Sequence, residues 1–579
     1  MTLFKVILRE VKEFKKASIL TPIFMVGEVL LEIMLPFLMS FIIDEGVSKG
    51  NMEAVFTYGA LMLVCAFASL FCGAMAGKLA AYASAGFAKN VRKSLFDHIQ
   101  DFSFRNIDHF STSSLITRMM SDVTNVQNAY QMVLRMCVRS PLNLICAMIM
   151  TFTINAELAM IFLYAAIFLS VVLAIIVKLT YPVFDDVFKR YDNVNASVQE
   201  NITNMRVVKA YVKEEHETQK FKKASAMLYR LFKKAENIMI MNGPTMQLTV
   251  YSCILGISWL GAKMISQSLL TTGELMSMLT YTMTILMSLM MLSMIFVMMS
   301  MSLASVKRIV EVLQAKSDIV SPQEAIKEVK DGSIDFDHAS FRYFLDNEED
   351  NLCDIDLHIQ SGETIGILGG TGSGKTTLVQ LLARLYDVTS GSVKIGGVDV
   401  REYDLEVLRK EVSMVLQKNV LFSGTIIENM RWGDENASLE EIQHVCQLAQ
   451  ADSFIQNFPK KYEHYIEQGG SNVSGGQRQR LCIARALLRK PKILILDDST
   501  SAVDTRTDYL IRKAFREELP GMTKLIISQR ISSIQDADRI IVMDDGKIVN
   551  VGTHDELLQT STIYQEVYET QVKGEDQNG

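Results

Sequence analysis

The chain has 579 residues and a formal charge of −7, from 58 basic and 65 acidic side chains. That length exceeds one ordinary domain, and the mild acidity leaves no basic footprint for a nucleic-acid partner. The eight cysteines form no CxxC pair and several fall inside apolar runs, which excludes a zinc or disulfide framework and fits small core hydrophobes in a reducing compartment.

The chain opens on a charged, amphipathic stretch with Lys5, Arg9, Lys12, Lys15 and Lys16. It reads as an interfacial helix leading into a first membrane span rather than as a signal peptide, with cleavage of that span the alternative. Six stretches reach the roughly 20 apolar residues that a transmembrane helix needs: 19–43, 54–84, 133–153, 158–181, 245–265 and 275–304. Connections after the first, third and fifth are short, and those after the second and fourth are long and charged. Basic residues mark the cytoplasmic side, so the N-terminus, both long loops and everything after the sixth span are expected inside the cell.

Two features of this half bear on cargo. Glu28 and Glu32 lie four apart in the first span, on one helical face. Intramembrane carboxylates face a cavity or a partner charge, here a cargo path or an ion pair with Arg135 or Arg139. The sixth span carries methionines at 276, 278, 283, 287, 290, 291, 294, 298, 299 and 301. Methionine suits adaptable apolar surfaces, but these positions fall on every face of a helix, which favours packing and lipid contact.

The organisation expected is a transmembrane region over 1–315, a polar linker with Pro322 over 316–332, a soluble α/β domain over 333–572 and a charged, disordered tail over 573–579. The soluble half carries the chemistry. "GILGGTGSGKTT" contains GxxxxGK[ST] from Gly369 to Thr376, after an apolar strand and before a helical pattern. Glycines allow the backbone N–H groups of Gly369, Gly370, Thr371, Gly372, Ser373, Gly374 and Thr377 to wrap phosphates, and a helix N-terminus favours the same charge. Lys375 is expected to reach the β and γ phosphates of ATP, and Thr376 to bind Mg2+. Downstream, "LILDDSTSAVD" ends an apolar strand on Asp497, the second magnesium ligand, followed by Asp498.

"NVSGGQRQRLCIARAL", 472–487, then resembles the signature of the ATP-binding cassette (ABC) family, in the family's order between phosphate loop and Asp497. Further elements resemble the family over the whole chain. Tyr343 stands in the place of the aromatic that stacks on adenine. Gln417 matches the glutamine loop that senses magnesium, and Ser501–Asp504 the D-loop. Glu467 stands where exporters carry a short loop that touches the membrane domain. "FSTSSLITRMMSDV", 110–123, is similar to the first coupling motif, with Ser113 and Ser114 for its usual Gly-Glu, and "ENITNMRVVKAY", 200–211, to the second. Six spans ahead of one cassette is the half-transporter layout of the type IV (type I exporter) fold. The resemblance implies spans that extend into the cytoplasm, with the second loop reaching a partner's cassette.

Two positions depart from the family pattern. The residue after the strand aspartate, usually Glu, is Asp498, and the switch-loop residue, usually His, is Gln529. A shorter carboxylate holds water less well, and an amide cannot carry a proton. The signature Ser474, Gly475, Gly476 and Gln477, which in the family closes over ATP on the partner's phosphate loop, is intact. The resemblance therefore implies a bacterial heterodimeric, multidrug-type exporter in the plasma membrane. In it this chain's own ATP site (Asp498, Gln529, Gln417) is degenerate, and its signature completes the partner's hydrolysing site. Amphipathic or hydrophobic compounds are the expected cargo. The alternatives are a homodimeric exporter of lipid or peptide, or an importer, channel or sensor of the same fold.

Overall fold

The computed structural model describes residues 3–343, 349–499 and 502–576. The chain forms two compact units: Met1–Gln100 with Ser111–Ala315, and Asp101–Phe110 with Lys316–Gly579.

The first unit is helical, as apolar segments in lipid must satisfy their own backbone groups. Among the described residues six helices are long and apolar enough to cross a membrane: Lys5–Val47, Met52–Gln100, Thr112–Ile154, Ala156–Thr180, Glu214–Ser266 and Thr272–Leu292. The two long connections are not loops. The second helix runs 49 residues to Gln100 and the fourth continues to Thr203 over 48 residues. At 1.5 Å per residue these span about 70 Å, well beyond a hydrocarbon core of about 30 Å. The expected interfacial helix is broken: a short helix, Leu3–Leu8, is followed by a turn in which Lys12 takes φ 38°. Phe14 just after it is buried, with its ring where a Cβ on Gly86 would have to sit.

Side chains bond the backbone near Pro36. Pro36 removes a donor from the first helix, and nearby Tyr281 donates to the Ile33 carbonyl (2.7 Å) and Ser277 to that of Pro36 (2.5 Å). The methionines of the sixth span divide: Met278 is buried, while Met276, Met283, Met287, Met290, Met291 and Met294 are exposed. The side chain of Met301 lies outside the described residues.

Asp122 is a buried charge of this unit, 1% exposed. Arg308 donates to both its oxygens and Ser305 to one, at 2.9 Å. Asp122→Ala leaves these donors without an acceptor. Since Arg308 is half exposed, the expected loss is about 1–3 kcal/mol, read as a lower thermal midpoint of the detergent-solubilised chain. An unchanged midpoint would mean that solvent replaces the carboxylate fully.

In the second unit, β1 (Ile334–Phe341), β2 (Leu352–Ile359), β4 (Ser390–Ile395) and β5 (Val398–Asp399) form an antiparallel sheet in the order β2-β1-β4-β5. A six-stranded sheet has the order β12-β11-β3-β10-β9-β6. Its strands are β3 (Thr364–Gly369), β6 (Val412–Val415), β9 (Ile493–Asp497), β10 (Thr523–Ile527), β11 (Arg539–Asp544) and β12 (Lys547–Gly552). The small pair β7 (Gly424–Thr425) and β8 (Tyr465–Ile466) stands apart. All but β12 of the large sheet run parallel, and such strands are covered on both faces. On β9, Ile493 and Ile495 enter one hydrophobic core while Leu494 and Leu496 enter the other, the period-two alternation of a strand.

Three boundaries differ from the sequence reading. Segment 316–332 is not a free linker: Ile326 bridges to Tyr403 and Val329 is 1% exposed, both within the second unit. The tail is helical as far as Asp576, in the helix Thr562–Asp576, while 577–579 lie outside the described residues. The edge of the membrane region differs next to the first coupling motif, where Phe110 groups with the second unit and 111–123 with the first. Ser113 and Ser114 belong to the first unit, in the short helix Thr112–Thr117, whereas Asp101–Phe110 just before them packs with the second unit. There Tyr386 donates to Asp108 at 2.7 Å and Arg105 pairs with Asp318 at 3.2 Å. Aromatic Phe104 lies beside Tyr386, ring centroids 6.0 Å apart.

Candidate functional site

Four loops converge because four adjacent parallel strands end together. In the order β3-β10-β9-β6, the phosphate loop follows β3, Gln529 follows β10, Asp497 and Asp498 close β9, and Gln417 follows β6. Ligands of open α/β sheets bind outside these carboxyl ends.

The phosphate loop leads into the helix Lys375–Leu382, capped by Gly374 at φ 93°. A Cβ on Gly374 would also meet Leu352 at 2.7 Å, so only glycine fits there. Gly370 and Gly372, in contrast, face open space, and that is where a phosphate could approach the backbone. Ser373 donates to the Gly370 carbonyl at 2.9 Å. The Lys375 ammonium is 2.9 Å from the Gly369 carbonyl and 2.6 Å from that of Gly370. Burial pushes its pKa down, opposed by Asp497 and Asp498. Thr371 is exposed on the loop.

Thr376 donates to Asp497 at 3.1 Å. Asp497 is 2% exposed, and its pKa is raised by burial and by neighbouring Asp498, against the opposing effects of Thr376 and Lys375. Asp498 sits beside it in the left-handed region, φ 46°, with its N–H on the Ile527 carbonyl at 3.1 Å. Its pKa is raised by burial, against the opposing effects of a Gln417 hydrogen bond, Lys375 and Arg530. Lys375, Thr376, Asp497, Asp498 and Gln417 thus come together.

The remaining residues stand differently. Tyr343 bonds through its hydroxyl to Thr377 and Gln380, each at 3.1 Å, with its ring edge-on to Phe341 and Tyr386. Gln529 is exposed past the end of β10. Ser474 and Gln477 form a capping box that opens the helix Gly475–Leu487. Gly476 packs so close to the Ala502 carbonyl that a Cβ would be 2.8 Å away, while Gly475 has room. Among the described residues, none of these contacts of the signature Ser474–Gln477 is with Gly369–Thr377. Glu467 accepts from Ser471 within its own loop, at 2.9 Å. Ser501 of the D-loop lies outside the described residues, while Asp504 caps the helix Thr505–Glu518. Sequence reasoning missed Arg530, whose positive charge next to Gln529 was the available signal, and Tyr386, which carried none.

In the membrane unit, Arg139 joins both span-one carboxylates, 3.2 Å from Glu28 and 2.9 Å from Glu32. Among the described residues no ion pair joins Arg135 to either. Glu28 is buried against Gly73, whose Cβ would lie 3.0 Å from the carboxyl carbon.

Residues 18–306 match the family described as the ABC transporter transmembrane region, and 352–501 that described as ABC transporter. The chain is 37% identical to the ABC transporter ATP-binding protein YfiB of Bacillus subtilis, over 95% of each. It is 30% identical to YgaD of Bacillus subtilis, provisionally named a multidrug export ATP-binding/permease protein, over 99% of this chain and 100% of that one. A solved bacterial Atm1-family ABC exporter with ATP bound has the same fold, at TM-score 0.82 and 23% identity, covering 97% of this chain and 98% of that one.

Proposed function

This chain belongs to the ABC transporter family, and on that premise we propose that it is one half of a heterodimeric exporter whose own ATP site is degenerate. It is a multi-pass membrane protein with an ATP-binding region, an ATPase coupled to transport. The observation that carries the proposal is a mismatch within one assembled site. Lys375, Thr376 and Asp497 stand together, while the position for a general base holds the short Asp498, and the switch position holds Gln529. The signature of the same chain is complete and capped.

Roles follow from the chemistry. The open backbone at Gly370 and Gly372 and the Lys375 ammonium hold phosphate. Thr376 and Asp497, with the Gln417 amide oxygen, offer an all-oxygen set that suits Mg2+, and a buried carboxylate with only Thr376 and Lys375 to offset it gains from a cation. Bound there, the ion would neutralise phosphate charge. Gln417 spends its amide N–H on Asp498, which draws that carboxylate toward the glutamine loop and away from work on water. Tyr343 supplies an aromatic wall for adenine. Ser474, Gly475, Gly476 and Gln477 act on the partner's nucleotide.

The membrane is the bacterial plasma membrane, with the cassette inside, as the basic N-terminus indicates. The cargo is an amphipathic or hydrophobic compound, a reading supported by the multidrug-export name of YgaD.

Purified alone, the chain should bind ATP but turn it over more than about tenfold slower than when co-purified with its partner half, since a mispositioned acid–base group costs at least that much. Brisk turnover by the homogeneous protein would favour a homodimer. Glu32 is the more exposed of the two paired carboxylates, at 43% of its side chain against 11% for Glu28, and is the one open to cargo. Glu32→Gln should shift relative transport of cationic against neutral substrates by about fivefold at unchanged folded yield. Loss of yield with no change in preference would assign the pair to structure alone.

A further inference from the structure

We infer that the C-terminal helix is a working part of the nucleotide site, because the side-chain amide of Gln571 holds the switch loop from behind and sets where Gln529 stands. The amide donates from Nε2 to the Gln529 carbonyl at 2.7 Å and accepts at Oε1 from the Ile531 N–H at 2.9 Å. β10 ends at Ile527, so the loop has left the sheet where this amide takes it up. One planar group bonded on both edges fixes position and tilt together, as a neighbouring strand would.

The helix Thr562–Asp576 is anchored to do this. Tyr564 is fully buried and its hydroxyl bonds His554 at 2.7 Å, while Val567 and Tyr568 pack on the same core. Positions 564, 567, 568 and 571 share one helical face, which carries Gln571 back onto the loop. On the other side Ser533 donates to buried Asp508 at 2.9 Å, and Arg512 pairs with the same carboxylate at 3.2 Å. The loop is therefore held between two helices, by its backbone on one side and by the Ser533 hydroxyl on the other, with the Gln529 side chain left exposed. Gln571 is a positioning residue, and it acts through Gln529. This rests on the reading of Gln529 as the switch-position group of the ATP site.

The test uses the full chain assembled with its partner half, in lipid nanodiscs with Mg-ATP. Hydrogen exchange at the Ile531 amide, steady-state ATPase and the lifetime of trapped nucleotide are compared for Gln571→Ala, Gln571→Glu, Gln529→Ala and Gln571→Ala with Gln529→Ala. Gln571→Ala should speed exchange at Ile531 by about tenfold and change turnover or trapping by about three- to tenfold, with the KM for ATP unchanged. It should have no further effect once Gln529 is alanine. Gln571→Glu keeps the acceptor for Ile531 and loses the donor to Gln529, so exchange should stay slow while turnover or trapping still shifts. Unchanged exchange in Gln571→Ala, or effects that multiply across the two sites, overturns the inference and leaves Gln571 a packing residue. A silent Gln529→Ala overturns it too, by removing the reading on which it rests. An active Gln529→Ala beside a silent Gln571→Ala sinks the clamp alone.

Discussion

Gly475→Asp, co-expressed with the native partner half, is expected to lower steady-state ATPase and transport by about 10²–10⁴-fold. Asp498→Asn is expected to change them less than about threefold. The first figure is the usual loss when a preorganised site for developing phosphate charge fails. Gly475 opens a capped helix whose N-terminal N–H groups suit an anion, and in the proposed heterodimer a carboxylate placed there would repel the partner's ATP. The variant should still fold, because a Cβ at Gly475 meets only the Ala502 methyl, at 3.5 Å. Gly476 would be a poorer probe, since a side chain there runs into the Ala502 carbonyl. Asp498→Asn should be mild because this carboxylate already spends itself on Gln417 and lies beside Arg530. If Asp498→Asn is the more damaging of the two, this site is a principal engine and the degenerate reading fails.

The second large effect is a gain. Asp498→Glu with Gln529→His, in the chain purified alone, is expected to raise ATP turnover by about 10²-fold, the worth of one positioned acid–base group. Glutamate restores the reach of the base, and histidine can carry a proton near neutral pH. Backbone geometry sets a ceiling on the gain. Asp498 sits at φ 46°, a region that aspartate and asparagine enter more readily than other L-residues and that costs those about 1–2 kcal/mol. Asp498→Glu alone should therefore give a smaller rise than the pair. No rise in the double variant would place the slow step elsewhere, in closure between the two halves.

The sequence by itself determined whatever depends on neighbours along the chain. Six apolar stretches of sufficient length must be helices in lipid, because nothing else satisfies their backbone. A strand, a glycine loop and a helix in succession make a phosphate cradle, and Lys375 and Thr376 then fall where the helix begins. Asp497 joins them because a buried apolar strand, Ile493 to Leu496, can only end beside its parallel neighbours. Only the tertiary structure decided pairings between distant residues. Glu28 and Glu32 had two candidate partners, and packing of the first helix against 123–154 brought Arg139, 107 residues beyond Glu32, within reach of both. Phe104 and Asp108 meet Tyr386, 278 residues beyond Asp108 along the chain, within the second unit. Gln571 is an ordinary polar residue in its local pattern. It acquires a role because burial of Tyr564 fixes which side of the last helix faces the switch loop. Periodicity specifies which face of an element is buried, and it carries no information about which distant element will cover that face.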